Sequence, residues 1–198
     1  MDQEQSLNQP AGSQAKSPKS EAIEWIKALL IAGVLVFVIR TFLFAPFIVD
    51  GPSMEPNFFT GERLIVNKLI YDIRKPKRGE VIVLHAPEGK DFIKRVIGLP
   101  GETVRVEGDQ VFINGKVIEE PWIQEAVNEA HKSGGTYNST GYPETKVPDG
   151  TVFVLGDHRS VSKDSRYSDV GFIPFNKIVG RADVLFWPIK NIGIVKHY

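Results

Sequence analysis

The chain has 198 residues, 42% of them hydrophobic, enough to bury one core and to hold one main domain. Lys plus Arg and Asp plus Glu each number 24, so no polyanionic or polycationic partner is implied, and no basic stripe with stacking aromatics points to nucleic acid. Cysteine is absent, which removes disulfides, thiolate metal sites and a cysteine nucleophile; the four histidines are scattered without metal-ligand spacing, so no metal is expected.

Residues 1–21 are rich in Gln, Ser, Pro, Lys and Glu and lack apolar periodicity, so a disordered tail is expected. An apolar run follows from Ile23 to Ala45. As a helix it is about 35 Å long at about 1.5 Å per residue, enough to cross the hydrocarbon layer. No charge falls between Ala28 and Ile39, Lys27 and Arg40 lie near the ends, and Trp25 suits an interface. The run starts too late and ends in residues too bulky for a cleaved leader, so residues 22–45 read as an uncleaved transmembrane anchor. Orientation stays open on local charge, because lysines before the span are matched by Arg63, Lys68, Arg74, Lys75, Lys77 and Arg78 after it.

Beyond the anchor, residues 46–198 read as one β-rich domain. Strands are expected over Glu62–Leu69, Glu80–His85, Phe92–Leu99, Thr103–Glu107, Gln110–Ile113, Lys116–Ile118, Thr151–Leu155 and Arg181–Trp187, with Asn114-Gly115 as a hairpin turn. Residues 119–148 look like a loop or a small inserted subdomain, and Asn138-Ser139-Thr140 matches a glycosylation sequon. The expected class is mainly β, with antiparallel sheets in a barrel-like domain hung on one N-terminal helix.

Three segments could carry chemistry. Gly51-Pro52-Ser53-Met54-Glu55-Pro56 holds a serine in restricted backbone, and a serine nucleophile needs a neighbouring base. No Gly-x-Ser-x-Gly elbow is present, and the fourth residue of a Ser-x-x-Lys pattern at Ser53 is Pro56. The histidine route stays open through His85, His131 or His158. The lysine route runs through Lys94, whose apolar strand neighbours would lower the amine's pKa if it points inward. A third segment, Gly156 to Arg166, is dense in hydroxyls and alternating charges that can orient such a base.

Taken together and in this order, the Ser53 segment, Gly61 to Lys68, Lys94 to Glu102, and Gly156 to Arg166 resemble the boxes of the type I signal peptidases, membrane-bound Ser/Lys proteases. The resemblance covers about residues 22–187. It implies Ser53 as nucleophile and Lys94 as general base, with Ser162 positioning the lysine and Asp157, Asp164 and Arg166 bracing the site. Val49, Gly51, Met54, Phe92 and Ile93 match the substrate pocket. Gly51 departs from a branch of the family that has a serine there, so the oxyanion would rest more on backbone N–H groups. The implied activity is removal of signal peptides from exported preproteins after Ala-x-Ala-like residues, with no metal or cofactor. The implied partners are signal peptides and the lipid bilayer. The implied site is the plasma membrane or a thylakoid membrane, crossed once, with a cytoplasmic N-terminus and the catalytic domain opposite. Two other readings are a non-catalytic anchored peptide-binding β-domain and a self-cleaving relative of the repressor proteases. The first would have lost the Ser/Lys pair, and the anchor argues against the second.

Overall fold

The computed structural model describes residues 18–86 and 89–198, so most of the expected tail lies outside the described residues. Two units divide between Ile39 and Arg40. The first holds α1 (Pro18–Val38), which starts earlier than the expected span, with proline at the position where a missing N–H costs nothing. Every residue of it from Glu21 to Val38 is exposed. A π-helical turn, Ile39–Leu43, follows, and the chain is extended from Phe44. The helix expected to reach residue 45 therefore stops short. Glu21, Glu24 and Lys27 lie in its first half, leaving a charge-free α-helical stretch only from Ala28 to Val38. Among the described residues, no helix is long and apolar enough to cross a membrane.

The second unit is built on β1 (Phe44–Ile48), β2 (Arg63–Asn67), α2 (Ile70–Ile73), β3 (Val81–His85), β4 (Asp91–Gly98), β5 (Thr103–Glu107), β6 (Gln110–Ile113), β7 (Lys116–Val117), α3 (Gln124–Lys132), β8 (Tyr142–Lys146), β9 (Thr151–Leu155), β10 (Ile173–Pro174), β11 (Ile178–Trp187) and β12 (Gly193–Ile194). The larger sheet has the order β1-β2-β11-β3-β4-β9-β10, with β12 beside β11, and the smaller has the order β7-β6-β5-β8. All pairings are antiparallel. The larger sheet stays open between β1 and β10, so the expected barrel is an open sheet.

The apolar runs at β3 and β4 follow from burial on both faces. Val81, Val83 and Ile93 pack with Met54, Leu64 and Val66. Ile82, Leu84 and Val96 pack on the opposite face with Val152, Val154 and Ile173. The smaller sheet packs Val104, Val106, Val111 and Ile113 against Trp122, Ile123 and Phe153. Its β6–β7 turn has positive φ at both Asn114 (51°) and Gly115 (75°), the conformation that an Asn-Gly hairpin supplies at least strain. The stretch 119–148 is more ordered than a loop, because it contributes α3 and an edge strand, β8, that pairs with β5. Asn138 is buried and its Nδ2 donates to the carbonyl of Gly108, so the sequon is not presented for glycosylation.

Candidate active site

Ser53 lies in the tight turn that follows β1. Gly51 has φ +92°, which a residue with a Cβ adopts only under strain, and the turn closes through Glu55 N to Pro52 O (3.1 Å) and Phe58 N to Met54 O (3.0 Å). The carbonyl of Ser53 accepts from the backbone N–H of His158 (3.1 Å), which fastens the serine to the segment after β9.

Lys94 comes from β4. This strand pairs with β3 along Asp91–Arg95, but β9 joins its other side only from Arg95 onward. Among the described residues, the outer edge of Asp91–Lys94 therefore has no strand partner. Beside it is a cleft of about 190 Å³ lined by Phe47, Asp50, Gly51, Ser53, Asp91, Phe92, Ile93, Lys94, Val161 and Lys163. Lys94 Nζ lies 2.8 Å from Ser53 Oγ and donates to the carbonyl of Ile93, also at 2.8 Å. The lysine is 3% exposed. Burial drives its pKa from 10.5 down to about 8, against the pull of the Asp164 and Asp157 carboxylates.

Those carboxylates cannot act as simple counterions for Lys94, because each is held by a guanidinium. Asp157 accepts from Arg95 Nε (2.9 Å) and Nη2 (2.7 Å) and from Asn57 Nδ2 (2.8 Å). Asp164 accepts from Arg166 Nε (2.8 Å) and Nη2 (2.9 Å) and from Gly156 N (3.0 Å). The amine therefore remains a poorly compensated charge when protonated.

Of the residues expected at the site, Ser53, Lys94, Gly51, Phe92 and Ile93 line one cleft, and Asp157, Asp164 and Arg166 are close enough for their charges to act on Lys94. Three residues sit otherwise. Val49 and Met54 are fully buried in the core beneath the turn instead of lining the cleft. Among the described residues the buried Ser162 hydroxyl has no hydrogen-bond partner, and the lysine amine contacts Ser53 Oγ and the Ile93 carbonyl. No histidine reaches the serine hydroxyl. His85 pairs with Asp91, His131 pairs with Asp109, and the His158 ring stacks on Tyr137 with a 5.9 Å centroid separation.

Several supports escape sequence reading. Arg159 forms a buried ion pair with Glu120, Arg166 Nη1 donates to Asn138 Oδ1, and the Tyr137 hydroxyl donates to the carbonyl of Asp157 (3.0 Å). All three tie residues 119–140 to the segment 156–166. Only the proximity of Arg95 to Lys94 in the sequence could have hinted at its role.

The family described as "Signal peptidase, peptidase S26" matches residues 22–187. This chain belongs to the signal peptidase family. "Signal peptidase I P" of Bacillus subtilis subsp. natto is 45% identical over 183 residues, covering 91% of this chain and 97% of the relative. "Signal peptidase I" of Bacillus amyloliquefaciens is 43% identical over 180 residues, covering 91% and 96%. A crystal structure of a signal peptidase I from Enterococcus faecalis V583 aligns over 55% of this chain and 97% of its own, with 34% identity and a TM-score of 0.47. The signal-peptidase match takes in both Ser53 and Lys94.

Proposed function

We propose that this chain is a membrane-bound serine endopeptidase that removes N-terminal signal peptides from exported preproteins after small, Ala-x-Ala-like residues. The observation that carries the mechanism is the 2.8 Å contact between Ser53 Oγ and a lysine whose burial brings its pKa to about 8. With that pKa, about one lysine in ten is neutral at pH 7, against on the order of one in a thousand or fewer for an exposed amine.

An extended substrate adds to the unpaired edge of Asp91–Lys94, with the small side chain before the cut against Phe92 and Ile93. Neutral Lys94 takes the Ser53 proton, and Ser53 Oγ attacks the carbonyl. Backbone donors of the turn, including the Ser53 N–H, hold the oxyanion. Lys94 then gives its proton to the leaving amine, and the peptide bond breaks to leave an acyl-Ser53. In the second half Lys94 takes a proton from the water that attacks the ester and returns it to Ser53 Oγ as the acyl C–O bond breaks, which releases the new carboxyl terminus and regenerates both the serine hydroxyl and the neutral amine.

The N-terminal segment is proposed as the single anchor, with the catalytic unit across the membrane from a cytoplasmic N-terminus, in a plasma or thylakoid membrane. The exposure of α1 along its whole apolar length supports a cover of lipid. In the second unit, Phe44, Ile48 and Phe59 are exposed and suit contact with lipid, whereas Phe58 is part of the core. Retention of the full chain in the membrane fraction after carbonate washing is expected, and its release into the wash would count against the anchor.

The decisive test is cleavage, in detergent or lipid, of a preprotein whose signal ends in Ala-x-Ala. Wild type should release the mature protein with the expected N-terminus, and Ser53→Ala and Lys94→Ala should each abolish release. Persistence with Lys94→Ala would move the base elsewhere. No cleavage by wild type would favour a non-catalytic peptide-binding domain.

A further inference from the structure

A second cavity, of about 540 Å³, is lined by residues that follow β3 and precede β4 together with residues 170–177, and it takes no part in the chemistry above. Its floor is apolar, formed by Ala86, Val170, Phe172 and Ile173, and its rim carries Lys90 and Lys177. Among the described residues neither lysine has an ion-pair partner. The volume is that of a ligand-sized pocket, well beyond a packing defect.

The cavity and the catalytic cleft are lined by successive residues of one segment, Gly89 and Lys90 for the cavity and Asp91 to Lys94 for the cleft. Lys90 borders the cavity and the next residue, Asp91, borders the cleft. Phe92 lines the cleft and also packs on the cluster that contains Ala86, Val170 and Ile173. A chain lying along the free edge of β4 advances about 3.3 Å per residue. If the residue before the cut rests at Phe92 and Ile93, the upstream chain leaves the cleft past Asp91, and its side chains reach the cavity a few residues later. A signal peptide presents the end of its apolar core just there, ahead of the small-x-small site.

We propose that this cavity is a remote substrate subsite, which takes an apolar side chain about four to six residues before the scissile bond and, through Lys90 and Lys177, rejects a cation there. The proposal rests on the signal-peptidase reading. It adds a second point of selection, in which binding energy gained away from the reacting bond helps hold the extended segment in place.

The experiment uses the full chain in detergent and peptides with one Ala-x-Ala site that carry Leu, Ala, Glu or Lys at the fourth, fifth or sixth position before the cut. Leu should exceed Lys at one of these positions by about ten- to a hundredfold in kcat/KM, with the change mainly in KM. The double variant Lys90→Glu, Lys177→Glu should reverse the discrimination between the Lys and Glu peptides. Phe172→Ala should narrow the Leu-to-Ala ratio. Equal cleavage of all peptides by wild type, or a preference that neither variant moves, would overturn the subsite and leave the protease intact. Cleavage of none of them would overturn the protease reading and the subsite with it.

Discussion

A buried amine loses its proton more readily because low-dielectric surroundings disfavour the ammonium, and Lys94 shows what this does to one residue in two properties at once. For catalysis, the active form is the neutral one. kcat/KM should therefore climb about tenfold per pH unit on the acid side, bend near pH 8 and flatten above it. A profile flat from pH 6 to 9 would rule out a base of this pKa. For stability the sign is opposite to that of a paired surface lysine. Between about 8 and 10.5 the unfolded chain holds more protons at this site than the native one, so native stability rises with pH across that window. Below pH 8 the full cost of burying the charge is present. Lys94→Met should therefore be inactive yet more stable than wild type at pH 7, by about 1–3 kcal/mol, with the gain shrinking above pH 8. A chemical denaturation series over pH 6–10 measures this, and a variant less stable at every pH would contradict it.

At the level of elements, the segment after β9 decides whether Ser53 and Lys94 meet. A Cβ on Gly156 would lie 2.1 Å from Ser162 Oγ and 2.5 Å from the carbonyl oxygen of Ser53, closer than any neighbour can tolerate. Gly156→Ala should therefore push the Ser53 turn and the 156–166 segment apart. Activity should drop at least a hundredfold, on the scale expected for about 1 Å of misplacement, while the far-ultraviolet circular dichroism stays that of a β protein. Full activity would mean that the turn has room to move. The strands were readable because inward and outward residues alternate, as in Thr103–Glu107, or because both faces are covered, as in Val81–His85. β1 was hidden because Phe44–Ile48 continues the apolar run of the preceding helix without a break in hydropathy. α3 was hidden for another reason: it is short, buries no residue fully and has no capping side chain. At the site, Ser53 and Lys94 were legible as chemistry, and their neighbours in sequence carried the resemblance. Asn57, Glu120, Tyr137 and Asn138 were not, because their partners lie far along the chain and a polar residue in a loop gives no local sign of what it will brace.

Across the catalytic unit, Glu80 gathers the connection between β2 and β3 onto the central sheet. Its buried carboxylate accepts from the backbone N–H of Lys77 (2.8 Å), the Tyr71 hydroxyl (3.0 Å), Arg181 Nη1 (3.2 Å) and the guanidinium of Arg74. Arg181 also bonds Asp183, which accepts from Asn67, so the network runs from α2 through β11 to β2. Burial alone would raise the Glu80 pKa, but the hydrogen bonds from Arg74, Lys77, Tyr71 and Arg181 outweigh it and leave it at about 2. The folded-state pKa is thus depressed below the unfolded value of 4.5. The stabilisation is complete above 4.5 and is lost as pH falls toward 2. Glu80→Gln keeps the shape and removes the charge, so at pH 7 it should cost on the order of 3 kcal/mol. The difference from wild type should shrink through pH 4 and nearly vanish at pH 2. Urea midpoints measured at pH 7, 4.5, 3 and 2 separate this from a simple packing defect, which would leave the gap constant. Because the network lies apart from the cleft, the small-residue specificity of Glu80→Gln at pH 7 should match wild type in whatever fraction remains folded, and altered cleavage positions would show that the acidic hub also shapes the site.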